Sequence, residues 1–82
     1  MQNRPNPFSE STEVPIYLSA DGTVELLVHN VNGQLVYSST EDFSKGVHTM
    51  QISNSMLPSA GIYYYTVITD TFQATRKMTL LD

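Results

Sequence analysis

Hydrophobic and polar residues alternate along most of this chain with a period of two. In the stretch around residue 26, Val24, Leu26 and Val28 fall on one side of an extended backbone, because successive side chains of a strand point to opposite faces. Met50 and Ile52 follow the same rule further along. The pattern predicts strands that each bury one face.

Short apolar runs separated by turn-forming residues predict a chain of β-strands. We place strands near residues 13–18, 23–30, 34–39, 47–53, 62–69 and 72–81. No run has the three- and four-residue apolar spacing of an amphipathic helix. The sequence therefore predicts an all-β fold, an antiparallel immunoglobulin-like β-sandwich of about six to seven short strands.

Two turn signals predict which strands are neighbours. Asn32-Gly33 is typical of a two-residue hairpin in which both residues take a positive φ, so the second and third strands should pair antiparallel. Asp70-Thr71 predicts a second hairpin between the last two strands, with its turn type left open.

The fifth predicted strand is apolar on both faces, which favours a central position in its sheet. Tyr63, Tyr65 and Val67 share one face, and Tyr64 lies on the other. Alternation prevents three consecutive tyrosines from forming one stacking platform. We expect Tyr63 and Tyr65 to pack in the core and Tyr64 to be the most exposed.

The first residues differ in composition from the rest. Residues 1–11 are polar and contain two prolines, which predicts an extended lead-in, the end of a linker from a preceding region. Phe8 is expected to anchor this lead-in on the core. The sandwich domain is then expected to span residues 12–82.

Composition limits the classes of function. The chain has 82 residues, no cysteine, and eight acidic against four basic residues, for a net charge of -4. This length allows one domain, and the negative charge argues against binding to nucleic acid or to an anionic membrane.

Candidate catalytic and metal-binding residues are few. The two histidines, His29 and His48, lie on predicted strands and have no acid or thiol at a motif spacing. We expect His48 to be half-buried and structural and His29 to be solvated. The acidic residues fall at turns or strand ends without calcium-ligand spacing; they are Glu10, Glu13, Glu41, Asp42 and Asp70. The sequence thus predicts no enzyme, no metal and no cofactor.

Arg76 and Lys77 together hold half of the positive charge. They are interpreted either as a recognition spot or as charges that discourage aggregation at a sheet edge, and the residues alone slightly favour the second reading.

Several short motifs occur in one order along the chain. They are Pro5-Asn6-Pro7-Phe8, Asn30-Val31-Asn32-Gly33-Gln34, Gly46-Val47-His48, Gly61-Ile62-Tyr63 and Arg76-Lys77-Met78-Thr79-Leu80. With this order and spacing, the chain from Pro5 to Leu81 resembles the C-terminal sorting domain (type A) of cargo proteins of the type IX (Por) secretion system.

The resemblance implies a non-catalytic signal that directs a cargo protein across the outer membrane and is then removed by a sortase. The implied partners are the outer-membrane translocon, the sortase and an N-terminal cargo domain in the same precursor. The implied route is through the periplasm to the cell surface or the medium. By resemblance, the recognition residues are Arg76, Lys77, Met78, Leu80, Leu81, Gly61 and Tyr63, and the opening motif is Pro5, Asn6, Pro7 and Phe8.

The last strand also has a physical argument for recognition. A terminal strand at a sheet edge has unpaired backbone groups that can add to a partner's sheet, with Lys77 and Leu81 supplying side-chain contacts. The same edge leads us to expect weak self-association of an isolated domain. The alternative function is an immunoglobulin-like accessory module that binds carbohydrate or acts as a spacer beside a catalytic domain, with Tyr64 as a contact.

Overall fold

The computed structural model describes residues 4–81. Residues 1–3 of the expected lead-in and Asp82 of the expected sandwich lie outside the described residues. The strands are β1 (Ser11–Leu18), β2 (Gly22–Asn30), β3 (Leu35–Phe43), β4 (Gly46–Ser53), β5 (Gly61–Ile68) and β6 (Gln73–Leu80). A single 3-10 turn, Asn54–Met56, links β4 to β5 among these residues.

The strands form two antiparallel sheets, which confirms the predicted all-β sandwich. One sheet has the order β1-β4 and the other the order β3-β2-β5-β6. Strand β5 pairs with β2 on one side and with β6 on the other, so its predicted central position is correct. Strand β6 is the last strand of the larger sheet.

The core lies between the two sheets and follows the predicted alternation. Its most buried side chains come from the inward positions of the strands, since each strand of a sandwich buries one face. They include Val14, Ile16, Val24, Leu26, Val28, Met50, Ile52, Tyr63, Tyr65 and Met78. Phe8 of the lead-in joins them with 2% of its surface exposed, as expected of an anchor. Tyr64, at 40% exposed, lies on the opposite face of β5, also as predicted.

The hairpin between β2 and β3 is present, but the predicted turn type is wrong. Only Gly33, with a φ of 82°, takes a positive φ there. The amide of Gly33 donates to the Asn30 carbonyl, and the amide of Asn30 donates to the Gln34 carbonyl, both at 3.0 Å. This is a three-residue loop closed by a left-handed glycine. The Asn30 side chain also accepts the amide of Asn32 at 3.0 Å, which stabilises this geometry locally.

Strand β3 is longer than predicted and ends at Phe43 rather than near residue 39. Its polar end suggested a loop, but the pairing with β2 continues to Gly22↔Phe43. Thr23 supports this end by donating its hydroxyl to Asp42 at 2.7 Å. An edge strand tolerates such polar residues because one of its sides faces solvent.

The predicted hairpin between β5 and β6 is confirmed. The amide of Thr69 donates to the Phe72 carbonyl at 2.9 Å, and the Thr69 hydroxyl accepts the amide of Phe72 at 3.1 Å. Within residues 4–81, no helix has the length and apolar character needed to cross a membrane.

Candidate functional site

The lead-in is hydrogen-bonded along the outer edge of β6. The amide of Phe8 donates to the Thr79 carbonyl at 3.0 Å, and the amide of Leu81 donates to the Phe8 carbonyl at 2.7 Å. Phe8 therefore forms a short parallel bridge with Leu80, and its buried ring fixes this pairing.

Asn6 extends this contact with its side chain. Its carboxamide nitrogen donates to the Lys77 carbonyl at 3.1 Å, and its carboxamide oxygen accepts the amide of Thr79 at 3.0 Å. One asparagine side chain thus replaces two backbone partners of a strand. Asparagine fits this place because its amide carries a donor and an acceptor side by side.

The start of the lead-in is bound to the other sheet. Arg4 and Glu13 exchange two backbone hydrogen bonds, of 2.8 and 2.7 Å. The hydroxyl of the fully buried Thr12 donates to the Pro5 carbonyl at 2.6 Å. The lead-in therefore crosses from β1 to β6 and closes one end of the sandwich.

The last strand lies at the sheet edge, as expected, but not all of its outward backbone groups are unpaired. Its outward backbone groups from Lys77 to Leu81 are occupied by Asn6 and Phe8. The lead-in thus covers the C-terminal half of this edge, and covering an edge is a common protection against unwanted strand pairing. The opening and closing motifs of the sequence form one unit.

The basic pair is divided between the two faces of the sheet. Arg76 shares its face with the buried Met78 and Leu80 and lies at the open rim of the sandwich. Lys77 is exposed and lies opposite Tyr64 in the neighbouring strand. Adjacent strand residues point to opposite faces, so the pair does not form a single contact spot.

The other predicted recognition residues differ in exposure. Met78 is fully buried, and Leu80 and Tyr63 are 6% and 3% exposed, whereas Leu81 is 49% exposed. The Tyr63 hydroxyl donates to the Ser59 carbonyl at 2.6 Å. Gly61, which starts β5, has a φ of 143°, a value that side chains rarely adopt.

His48 is half-buried, as predicted from its position on β4. Its ring stacks on Phe43 with the centroids 4.5 Å apart, and its Nε2 lies 2.6 Å from the Ser44 carbonyl oxygen. These contacts tie β4 to the end of β3. Among residues 4–81, no group of three histidine, cysteine, aspartate or glutamate side chains is placed to hold a metal ion.

Sequence reasoning missed an apolar groove between β1 and β6. The groove has a volume of about 420 Å³, and it lies where the smaller sheet leaves the larger one uncovered. It is lined by Pro15, Ile16 and Tyr17 on one side and by Phe72, Ala74 and Arg76 on the other. One signal pointed towards it: Pro15 stands inside a strand, which marks that strand as an edge.

Comparison with known proteins identifies the family of this chain. Residues 4–80 match the sequence profile of the secretion system C-terminal sorting domain. Neither the curated proteins nor the solved structures give a significant match to this chain.

Proposed function

Because the chain belongs to the family of secretion system C-terminal sorting domains, we propose that it is recognised as a folded unit and later removed by a sortase. The family assignment makes it a type IX secretion C-terminal sorting signal. Such a signal follows an N-terminal cargo in the same precursor, engages the secretion machinery, and leads to the cell surface or to secretion.

The observation that carries the proposal is the hydrogen bonding between the lead-in and β6. The opening motif binds the backbone of the closing motif through Asn6 and Phe8. These two ends of the chain come together only in the folded domain. A receptor that binds this unit would therefore bind the folded domain and not an unfolded chain.

We divide the predicted recognition residues by their exposure. Arg76, Lys77 and Leu81 are exposed, and in this proposal they contact the outer-membrane translocon. Gly61, Tyr63, Met78 and Leu80 act indirectly, since their burial or backbone geometry maintains the shape of β5 and β6. In the opening motif, Asn6 and Phe8 hold the edge of β6, and Pro5 and Pro7 shape the path between the two sheets.

The lead-in also suggests where the sortase acts. Residues 4–8 are bonded to both sheets, so a protease would need to unfold the domain to bind them as an extended substrate. We place the cleavage on the N-terminal side of Arg4, near the start of the expected 1–11 linker end or before it. Cleavage there leaves the sandwich intact.

The family is typically non-catalytic, and we propose the same for this chain. The signal performs no chemistry itself, needs no cofactor, and binds no nucleic acid, in keeping with its net charge of -4. Its route in this proposal passes through the periplasm before the translocon.

Export of a reporter tests the proposal. Residues 1–82 are fused to the C-terminus of a fluorescent protein that carries a signal peptide, in a bacterium with a type IX system. We expect the reporter at the cell surface or in the medium. Removal of residues 76–82 is a poor test, because it also deletes Met78 and Leu80 from the core. The double variant Arg76→Gln, Lys77→Gln keeps the core and is expected to leave the reporter in the periplasm.

Periplasmic retention of the unmodified fusion, in a host that exports its own cargo, would overturn the proposal. That outcome would favour the accessory module and would lead to glycan-binding measurements. Of the three consecutive tyrosines, Tyr63 and Tyr65 are buried and only Tyr64 is exposed, so this run offers no continuous stacking surface to a carbohydrate.

A further inference from the structure

We propose that the groove between β1 and β6 binds an extended peptide with an acidic side chain, which adds to the larger sheet beside residues 73–76. The inference rests on the proposed function for its setting: the peptide would be a segment of the secretion machinery. The proposed site of strand addition is the start of β6, since the lead-in already lies along the end of this strand.

Every second residue of β6 directs its backbone groups towards the outer edge. Lys77, Thr79 and Leu81 direct backbone groups away from β5, since these groups bond to the lead-in. The alternation of an antiparallel ladder gives Gln73 and Thr75 the same direction. The described hydrogen bonds of the lead-in to β6 reach only as far as Lys77. The described part of the lead-in therefore leaves the first half of β6 open to a partner strand.

Apolar side chains lie beside this edge. Phe72 and Tyr17, on opposite rims of the groove, are 41% and 55% exposed. The floor contains the buried Val14, Tyr65 and Val67. An added strand points every second side chain to the same face, so apolar residues at alternate positions would enter the groove while the peptide backbone pairs with β6.

The groove has a positive charge at its rim. Arg76 lies at the rim of the groove, and among the described residues it forms no ion pair. Its guanidinium donates to the neighbouring Thr75 carbonyl at 3.0 Å, which is one of the outward groups that a partner strand would use. A carboxylate on the partner would bind the guanidinium and release this carbonyl for pairing. A second copy of the chain fits less well, since antiparallel pairing through the same edge would bring two Arg76 side chains together.

Nuclear magnetic resonance titration of the isotope-labelled full chain tests the inference. The probe is a short synthetic peptide of alternating valine and threonine with one central glutamate, compared with the same peptide carrying glutamine. We expect chemical shift changes at Tyr17, Thr75 and Arg76 when the glutamate peptide is added. The glutamine peptide should bind about tenfold more weakly, as for the loss of one charged hydrogen-bonded pair.

Three substitutions test the site, one of them a matched control. Arg76→Gln should weaken binding of the glutamate peptide by a similar factor. Lys45→Gln removes the same charge from an exposed residue outside the groove and should leave binding unchanged. Ala74→Phe fills the groove without altering charge and should abolish binding. The inference would be overturned if no binding were seen at about 1 mM peptide, if the shifts were confined to another surface, or if both peptides bound equally. Shifts caused by self-association or by an oligosaccharide alone would overturn it too.

The binding and export experiments can fail separately. Peptide binding without export of the reporter fusion would reject the sorting function and keep the groove as a peptide site. Export that is unaffected by Ala74→Phe and by Arg76→Gln, together with no peptide binding, would reject the groove and keep the sorting function.

Discussion

Asn6 and Thr79 are separated by 73 residues, and the side-chain oxygen of Asn6 accepts the backbone amide of Thr79 at 3.0 Å. The same side chain donates to the Lys77 carbonyl. A single polar residue of the lead-in thereby supplies the hydrogen bonds that a neighbouring strand would otherwise supply. This relationship joins the two ends of the domain and decides which part of the last strand is accessible.

The first prediction concerns Asn6. Asn6→Ala removes two hydrogen bonds to β6 and should lower the free energy of unfolding by about 1–2 kcal/mol, because each such bond contributes roughly 1 kcal/mol. Urea denaturation measures this change. Amide exchange of Thr79 should accelerate, since its acceptor is lost.

Two companion variants make this result specific. Asn6→Asp keeps the acceptor for Thr79 but not the donor to Lys77, so its loss should be intermediate at neutral pH. Asn32→Ala removes an asparagine from an exposed turn, where only its backbone amide is hydrogen-bonded in the described structure, and should change stability little. Equal losses for Asn6→Ala and Asn32→Ala would contradict the role of Asn6.

The second prediction separates the closing motif into buried and exposed residues. Met78→Ala should lower the free energy of unfolding by about 2–5 kcal/mol, because Met78 is fully buried and its truncation leaves a cavity. Arg76→Gln and Lys77→Gln should change it by less than about 0.5 kcal/mol. Thermal and urea unfolding of the purified domains give these values, and a large loss for Arg76→Gln would show that this residue is structural.

The third prediction concerns two adjacent tyrosines. Tyr63→Phe deletes a hydroxyl that donates to the Ser59 carbonyl and accepts the Ser59 amide, so it should cost about 1 kcal/mol. Tyr64→Phe serves as the control, since its side chain is 40% exposed and its hydroxyl has no described hydrogen bond. Equilibrium unfolding should distinguish the pair; a larger effect at Tyr64 would be contrary to the fold.

The fourth prediction tests the backbone at the start of β5. Gly61→Ala places a side chain on a residue with a φ of 143° and should destabilise the domain by roughly 1–3 kcal/mol. Gly22→Ala is the matched control, because Gly22 starts β2 without a positive φ and an added Cβ would meet Asp70 at an ordinary 3.5 Å. Similar stabilities for the two variants would rule out backbone strain as the reason for glycine at position 61.

Local periodicity was sufficient to predict most of the fold. The inward faces of β2 and β5 followed from alternation because every second side chain, such as Leu26 or Tyr65, must enter the core. The polar end of β3 was not predicted. An edge strand tolerates polar residues, so Glu41 and Asp42 do not show the apolar alternation that indicates a strand.

The candidate functional site was harder to predict from the sequence than the fold. The order of motifs indicated the family, but nothing local indicates that Asn6 would bind β6 across the whole length of the chain. The groove depends on how far the smaller sheet covers the larger one, which is a property of packing between distant strands. Pro15 inside β1 is the one local signal that could have indicated this edge.

The last prediction concerns the edge that the lead-in covers. A variant lacking residues 1–8 exposes the outward groups of β6 from Lys77 to Leu81 and should self-associate, because an uncovered strand edge pairs readily with another chain. Light scattering over a concentration series should give a mass that rises with concentration for this variant and a smaller rise for the full chain. Phe8→Ala provides the control: it removes the buried ring but retains the backbone that covers the edge, so it should lose stability with less association. A constant monomer mass for the shortened variant would mean that the lead-in is not what keeps this edge from pairing.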